Sequence, residues 1–261
     1  MWRERLRSLG AAAILLSWLC ADVVHATIFG PDDRAYVTPA RGSAFSPVGL
    51  VGRGLLIERY ATGTLIDDCD VLTSQHIFSS QASPVGGRLK FTAGLGTPDQ
   101  MSSEGTVVAA GGREKYPSTS ERYEKVAHDW ILVRLDKCLG ARFGYAFLKA
   151  WPRGVNDLSH LQSLGYPIDR NRLKGLTLDP SCEARGVYAL VWLNDCAALP
   201  GSSGGPLFRL STSKDGKSHM EIYAMQTAGF GKGANTSFWA ANANQATPVA
   251  MILPYIQRYL R

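Results

Sequence analysis

Apolar and polar residues alternate in short runs through most of this 261-residue chain, and stretches with helical spacing are scarce. Short runs rich in Val, Ile, Leu and Thr, set apart by Gly, Pro and Asp, read as strands. A first series falls at 55–59, 61–66, 70–74, 88–93, 106–110 and 130–135, with turn material such as Asp67-Asp68 and Pro98-Asp99 between its members. A second falls at 161–165, 175–178, 186–193, 206–210, 221–228 and 237–241. This spacing predicts an all-β molecule of two packed six-stranded antiparallel β-barrels, an arrangement that closes its own sheet edges. Residues 27–34 read as an irregular arm, 144–156 as the crossover between barrels, and 118–125 and 211–219 as polar surface loops. The pattern changes only at the C-terminus. Thr247 can cap a helix, Pro248 suits a first helical position, and 249–260 carry helical apolar spacing that Pro254 should kink or split into two short turns.

The first 26 residues have a different character. Arg3, Arg5 and Arg7 precede an apolar run from 9 to 24, and Val24-His25-Ala26 offers a small-residue cleavage site before Thr27. That is the pattern of a secretory signal peptide, and the run is short for a membrane span. The expected organisation is therefore a signal at 1–26, an arm and first barrel at 27–148, and a second barrel with the terminal helix at 149–261. Export to the medium or periplasm follows, with no stable membrane insertion once the signal is gone.

Loss of that segment removes three arginines, one glutamate and one aspartate, so the net charge falls from +6 to +5. The surplus is dispersed. Its densest run, Asp169-Arg170-Asn171-Arg172-Leu173-Lys174, carries a counter-charge and no interleaved aromatics, which argues against a nucleic-acid partner. Four cysteines remain: Cys69, Cys138, Cys182 and Cys196. An even number in an exported chain implies two disulfides, with three connectivities open. Cys69–Cys138 with Cys182–Cys196 is favoured, since the first would tie the strand before His76 to the strand after Asp129 and the second would brace the wall before Ser203. No Cys-x-x-Cys pair supports a zinc site, and no metal or cofactor is expected.

The candidate chemistry centres on Gly201-Ser202-Ser203-Gly204-Gly205-Pro206. Glycine at 201 and 204 permits a tight turn, and Ser203 takes its apex, ahead of its neighbour Ser202. A serine hydroxyl is a weak nucleophile unless a base removes its proton during attack. His76 ends an apolar strand through Thr73-Ser74, where a barrel strand delivers a side chain to the rim. Asp129 opens the apolar run Trp130-Ile131-Leu132-Val133, where a buried carboxylate needs a partner. Ser203 as nucleophile, His76 as base and Asp129 as its orienting carboxylate fill three complementary roles, and the N–H groups of Gly201 and Ser203 would form an oxyanion hole. His128 reads as structural or exposed.

Taken together, these residues resemble the trypsin-like serine proteases over nearly the whole mature chain. The resemblance rests on Thr62-Gly63-Thr64-Leu65-Ile66, Val71-Leu72-Thr73-Ser74-Gln75-His76, His128-Asp129-Trp130 and Gly201–Pro206. The chain order His, Asp, Ser is that of chymotrypsin-like enzymes, whereas α/β-hydrolase esterases place histidine last. Phe29-Gly30-Pro31-Asp32-Asp33-Arg34, Gly165-Tyr166-Pro167 and Pro200-Gly201-Ser202-Ser203-Gly204-Gly205 are similar to the bacterial glutamyl endopeptidase branch. Three positions depart from the wider pattern. Ser202 stands where animal relatives carry an aspartate, Ile77 where many carry a cysteine, and Gln226 where the glutamyl branch places a histidine.

The resemblance implies a chymotrypsin-like fold and a secreted endopeptidase acting on proteins or peptides through an acyl-enzyme. A specificity pocket would be walled by Ala197, Ala198, Leu199 and Pro200 on one side and Gln226, Thr227, Ala228 and Gly229 on the other. Neither wall carries a carboxylate, which points to small or neutral side chains in the substrate. The rival reading is a catalytically silent protease-fold protein that binds a partner, and the filling of all three triad positions counts against it.

Overall fold

The computed structural model describes residues 25–53, 59–78, 83–116, 118–151, 159–170 and 175–260. Residues 1–24 of the expected signal, 55–58 of the first expected strand, 152–156 of the crossover and 171–174 of the basic run lie outside the described residues.

The chain opens with β1 (His25–Phe29) and β2 (Ala35–Val37), then enters a barrel through β3 (Val48–Arg53), β4 (Arg59–Leu65), β5 (Asp70–Thr73), β6 (Arg88–Ala93) and β7 (Met101–Ala110). Helix α1 (Arg122–Ala127) precedes β8 (Ile131–Leu135), which completes a closed barrel in the order β3-β4-β5-β8-β7-β6. Every ladder in it is antiparallel, and Gly49 opposite Ala93 marks the closing seam between β3 and β6. Glycine is required there because a Cβ at Gly49 would lie 2.5 Å from both the Phe91 ring and Thr92 O. Val51, Leu65, Leu89, Phe91, Ile131 and Val133 fill the interior.

Helix α2 (Gly140–Phe143) and the short β9 (Phe147–Leu148) lead to a second sheet. Its strands are β10 (Leu161–Gly165), β11 (Leu176–Cys182), β12 (Ala184–Tyr188), β13 (Val191–Asn194), β14 (Pro206–Thr212), β15 (Ser218–Thr236) and β16 (Asn244–Pro248). They run in the order β12-β13-β16-β15-β14-β10-β11-β2, with β1 and β9 pairing in parallel to β15. Only Glu183 separates the ends of β11 and β12, so the strand next to one edge of the sheet leads directly into the strand at the other edge, and no ladder joins the two among the described residues. The molecule is thus one closed six-stranded barrel beside a ten-stranded sheet. Leu50, Leu72 and Leu132 of the barrel share a core with Tyr166, Phe208, Ile222 and Ile252 of the second half.

The N-terminal arm packs on the second sheet. Arg34, almost fully buried, donates to Asp32 at 2.8 Å and to Asp169 at 2.5 Å, which clamps the arm to the turn after Tyr166-Pro167. Both expected disulfides are present, Cys69–Cys138 and Cys182–Cys196.

Several elements differ from the sequence reading. Strand β3 was not foreseen, because Gly49 and Gly52 dilute its apolar signal. The expected loop at 118–125 is helical: Ser118 accepts from Ser120 N, Glu121 accepts from Ser118 N, and this capping box starts a short turn that runs into α1. The run 186–193 is a hairpin that turns through Ala189, which takes φ +51°. Residues 237–241 form a turn in which Trp239 N donates to Asn242 Oδ1, and the strand lies later, at β16. A single helix α3 (Val249–Ile256) contains Pro254, and Pro248 rather than Thr247 precedes its first turn.

Candidate functional site

Two turns from the barrel bring His76 and Asp129 together. His76 lies in a single helical turn directly after β5, and Asp129 follows α1 and leads into β8. Because β5 and β8 are hydrogen-bonded neighbours, with Thr73 opposite Ile131, the two turns emerge side by side at one rim. His76 Nδ1 lies 2.8 Å from Asp129 Oδ2, and His76 N donates to Asp129 Oδ1 at 2.8 Å. One carboxylate thus grips both the ring and the backbone of the same residue, and this fixes Nδ1 as the protonated ring nitrogen. Asp129 is 3% exposed. Burial opposes its charge, but the imidazole and the Arg113 guanidinium outweigh that cost and hold the carboxyl below its ordinary range.

The glycine-rich loop from 201 to 205 joins this rim from the second sheet. Thr62, in β4, is its anchor: Thr62 N donates to Ser203 O at 2.8 Å and Thr62 Oγ1 to Gly201 O at 2.8 Å, while Thr62 Oγ1 accepts from Tyr166 N at 3.0 Å. Gly204 N donates to Gln226 O at 2.7 Å, and Gln226 N donates to Gly205 O at 2.8 Å, which ties the loop to β15. Gly204 takes φ +83°, and a Cβ there would lie 2.1 Å from Thr62 O and 2.4 Å from Thr73 Oγ1. Only glycine fits, so the backbone beside Ser203 rests directly on the segment that leads to His76.

Ser202, Gly204 and Gly205 each donate their N–H to a backbone carbonyl of the molecule. The N–H groups of Gly201 and Ser203 have no protein acceptor among the described residues. Ser202 Oγ is turned inward, accepting from Leu199 N at 3.4 Å and packing near Gly165. No hydrogen bond joins Ser203 Oγ to His76 among the described residues. The segments that carry them are linked through Thr62, Thr73 and Ser74.

The segments expected to wall the pocket are held largely by backbone hydrogen bonds. Ala197 N donates to Asp179 Oδ2 at 2.6 Å, Ala198 N to Thr27 O at 3.3 Å, and Pro200 O accepts from Ile168 N at 2.8 Å. Across from them, Gln226 is buried and directs Nε2 to Ala228 O at 3.2 Å and Gln245 O at 3.3 Å, so its amide serves the strand pair β15–β16. Thr227 Oγ1 bonds Met225 O and Thr247 Oγ1, and Thr247 Oγ1 donates to Val126 O next to the Asp129 turn. Gly229 is buried, and of the eight residues only Leu199, Pro200 and Ala228 retain some exposure. Asp179 stands behind the wall and is committed to backbone donors at Ala197 and Ser181. Burial, with Asp33 and Asp195 nearby, pushes it up to about 6 against those hydrogen bonds.

His128 stacks on Tyr116 at 4.9 Å, and burial lowers its proton affinity, consistent with a structural role. Sequence reasoning missed Arg113, Gln75 and Asp179. Nothing in the local pattern singles them out, because each acts on a group distant in sequence or on backbone. Among the described residues no cluster of His, Cys, Asp or Glu could hold a metal ion, and no helix is long and apolar enough to cross a membrane.

Comparison with known proteins agrees with this fold. Among solved structures, a Glu endopeptidase in complex with MPD shares the fold with a TM-score of 0.63 and 18% identity, over 89% of this chain and 98% of its own. Protease Anisep from Arthrobacter nicotinovorans does so with a TM-score of 0.57 and 16% identity, over 86% of this chain and 98% of its own. No curated protein gives a significant sequence match. The model of one family, described as the trypsin-like peptidase domain, matches residues 61–214, a span that takes in His76, Asp129 and Ser203. The chain belongs to the trypsin-like peptidase family.

Proposed function

We propose that the protein is an exported serine endopeptidase that cleaves peptide bonds through an acyl-enzyme on Ser203. The observation that carries this reading is the pairing of His76 with the buried Asp129, beside a loop whose Gly201 and Ser203 N–H groups have no protein acceptor among the described residues. His76 Nε2 takes the Ser203 proton as the hydroxyl attacks the carbonyl carbon, and Asp129 stabilises the imidazolium that forms. The two N–H groups stabilise the oxyanion, where one donor is worth about 3–4 kcal/mol. The imidazolium then protonates the leaving amine, and water hydrolyses the ester with the same base. The lack of a ring–hydroxyl hydrogen bond among the described residues is compatible with this cycle, since such contacts tighten when substrate binds.

Signal removal before Thr27 would leave a mature start whose backbone is stitched to Asn244, with Thr27 N donating to Oδ1 at 3.2 Å and Asn244 Nδ2 donating to Thr27 O at 2.8 Å. The uncharged pocket walls favour small or neutral side chains before the cleaved bond. Profiling the mature protein against a peptide library tests activity and preference together. Hydrolysis should be abolished in Ser203→Ala and reduced by about four orders of magnitude in kcat for Asp129→Asn. Full turnover by folded Ser203→Ala would contradict the assignment, and absence of any hydrolysis by the mature protein would favour a silent binding protein.

A further inference from the structure

The turn that carries Arg113 is locked to the turn that carries His76. Gln75, next to His76 and 2% exposed, accepts from Gly112 N at 3.1 Å and Arg113 N at 3.3 Å, and donates from Nε2 to Glu114 at 2.5 Å. Gly112 takes φ +86° to start this turn, and Gly111 N donates to Trp130 O at 2.8 Å, so the segment is also fastened to the residue after Asp129. The result is a guanidinium held against the candidate couple: Arg113 Nε lies 3.3 Å from Asp129 Oδ2, the same oxygen that meets His76 Nδ1. Arg113 Nε is buried and is not aligned on that oxygen as a hydrogen-bond donor. Arg113 therefore acts on Asp129 by charge. Orientation is supplied by the two bonds from His76.

We propose that Arg113 is a positioning residue of the reaction, acting by its charge on the Asp129 oxygen that also meets the His76 ring. The proposal rests on the triad reading above. A carboxylate beside a neutral imidazole favours its protonation, and a cation sharing the carboxylate opposes that effect.

The other charged groups near the site are otherwise engaged. Glu114 on the Arg113 turn is taken by Gln75. Lys115 on that turn and Glu124 on α1 act on His128. Strand β16 brings Gln245 and Thr247, both uncharged, and His76 and Arg113 are the charges that act on Asp129.

The test is the pH profile of kcat/KM for a cleaved peptide in the wild type, Arg113→Met and Arg113→Lys. Loss of the cation should move the acid limb of Arg113→Met to higher pH by about one pH unit, so that kcat/KM well below the limb falls about tenfold. Arg113→Lys, which keeps the charge, should return the limb towards the wild-type position. In parallel, the imidazole of His76 followed by NMR in the inactive Ser203→Ala background should titrate with the same displacement. A limb unchanged in folded Arg113→Met, or displaced equally by Lys and Met, overturns the proposal. Arg113→Gln supplies the same comparison should the methionine variant not fold. Hydrolysis that survives both Ser203→Ala and His76→Ala would instead sink the triad reading, and this inference with it.

Discussion

Thr62 shows how much one side chain can organise. Its hydroxyl donates to Gly201 O and accepts from Tyr166 N, and its backbone holds Ser203 O, so a barrel residue positions a loop of the second sheet. Replacing it by valine keeps the shape and removes both side-chain bonds. Thr62→Val should lose about 1–3 kcal/mol of stability by leaving a buried N–H and carbonyl unpaired. Its kcat/KM should fall about ten- to a hundredfold through displacement of the Ser203 loop. Chemical denaturation and steady-state kinetics read the two effects, and unchanged kinetics in a destabilised variant would show that the loop is held elsewhere. The glycine register favours Ser203 over Ser202 in the proposed role, and Ser202 Oγ is turned inward to accept from Leu199 N. Arg113 was not legible, because its partner Asp129 lies beyond an intervening helix and no local spacing links them.

At the scale of elements, strands with clean apolar runs were read with little error: 88–93 and 161–165 coincide with β6 and β10. Errors arose where tertiary partners replace local pattern. Strand β16, Asn244-Gln245-Ala246-Thr247-Pro248, is wholly buried although mostly polar, since Asn244 bonds Thr27 and Cys196 while Thr247 bonds Thr227 and Val126. Such a strand has no hydrophobic signature to find. The middle of β11 carries a second hidden feature, Asp179, whose carboxylate accepts from Ala197 N.

The ordinary value for Asp179 is 3.8, and in the folded protein it is pushed up to about 6, chiefly by burial. Below about pH 4 the group is protonated in both states and contributes nothing. As pH rises towards 6 the unfolded chain ionises first, so the folded state loses stability, by about 3 kcal/mol in all for this group. Asp179→Asn should lack that decline. Its stability relative to wild type should therefore grow between pH 4 and 6 and then level off, as followed by denaturation across pH. A constant difference over that range would mean that Asp179 ionises in the fold as freely as in the unfolded chain.

Across the whole molecule, the proposed chemistry is divided between two halves. The barrel carries His76 and Asp129 at adjacent strand ends, and the second half carries the 201–205 loop and the segments proposed to wall the pocket. The all-β architecture, the pairing of cysteines and the order of the three residues could all be read in sequence, because each leaves a local mark. How the second sheet ends could not: β11 passes into β12 through one residue and β2 from the arm pairs on β11, both consequences of long-range packing. The central claim is that these halves converge on one reactive alcohol. A fluorophosphonate probe followed by mass spectrometry tests it most directly. A single adduct on Ser203, absent in Ser203→Ala and strongly slowed in His76→Ala, is the predicted result. Folded mature protein that stays unlabelled, or carries the adduct on another residue, would contradict it.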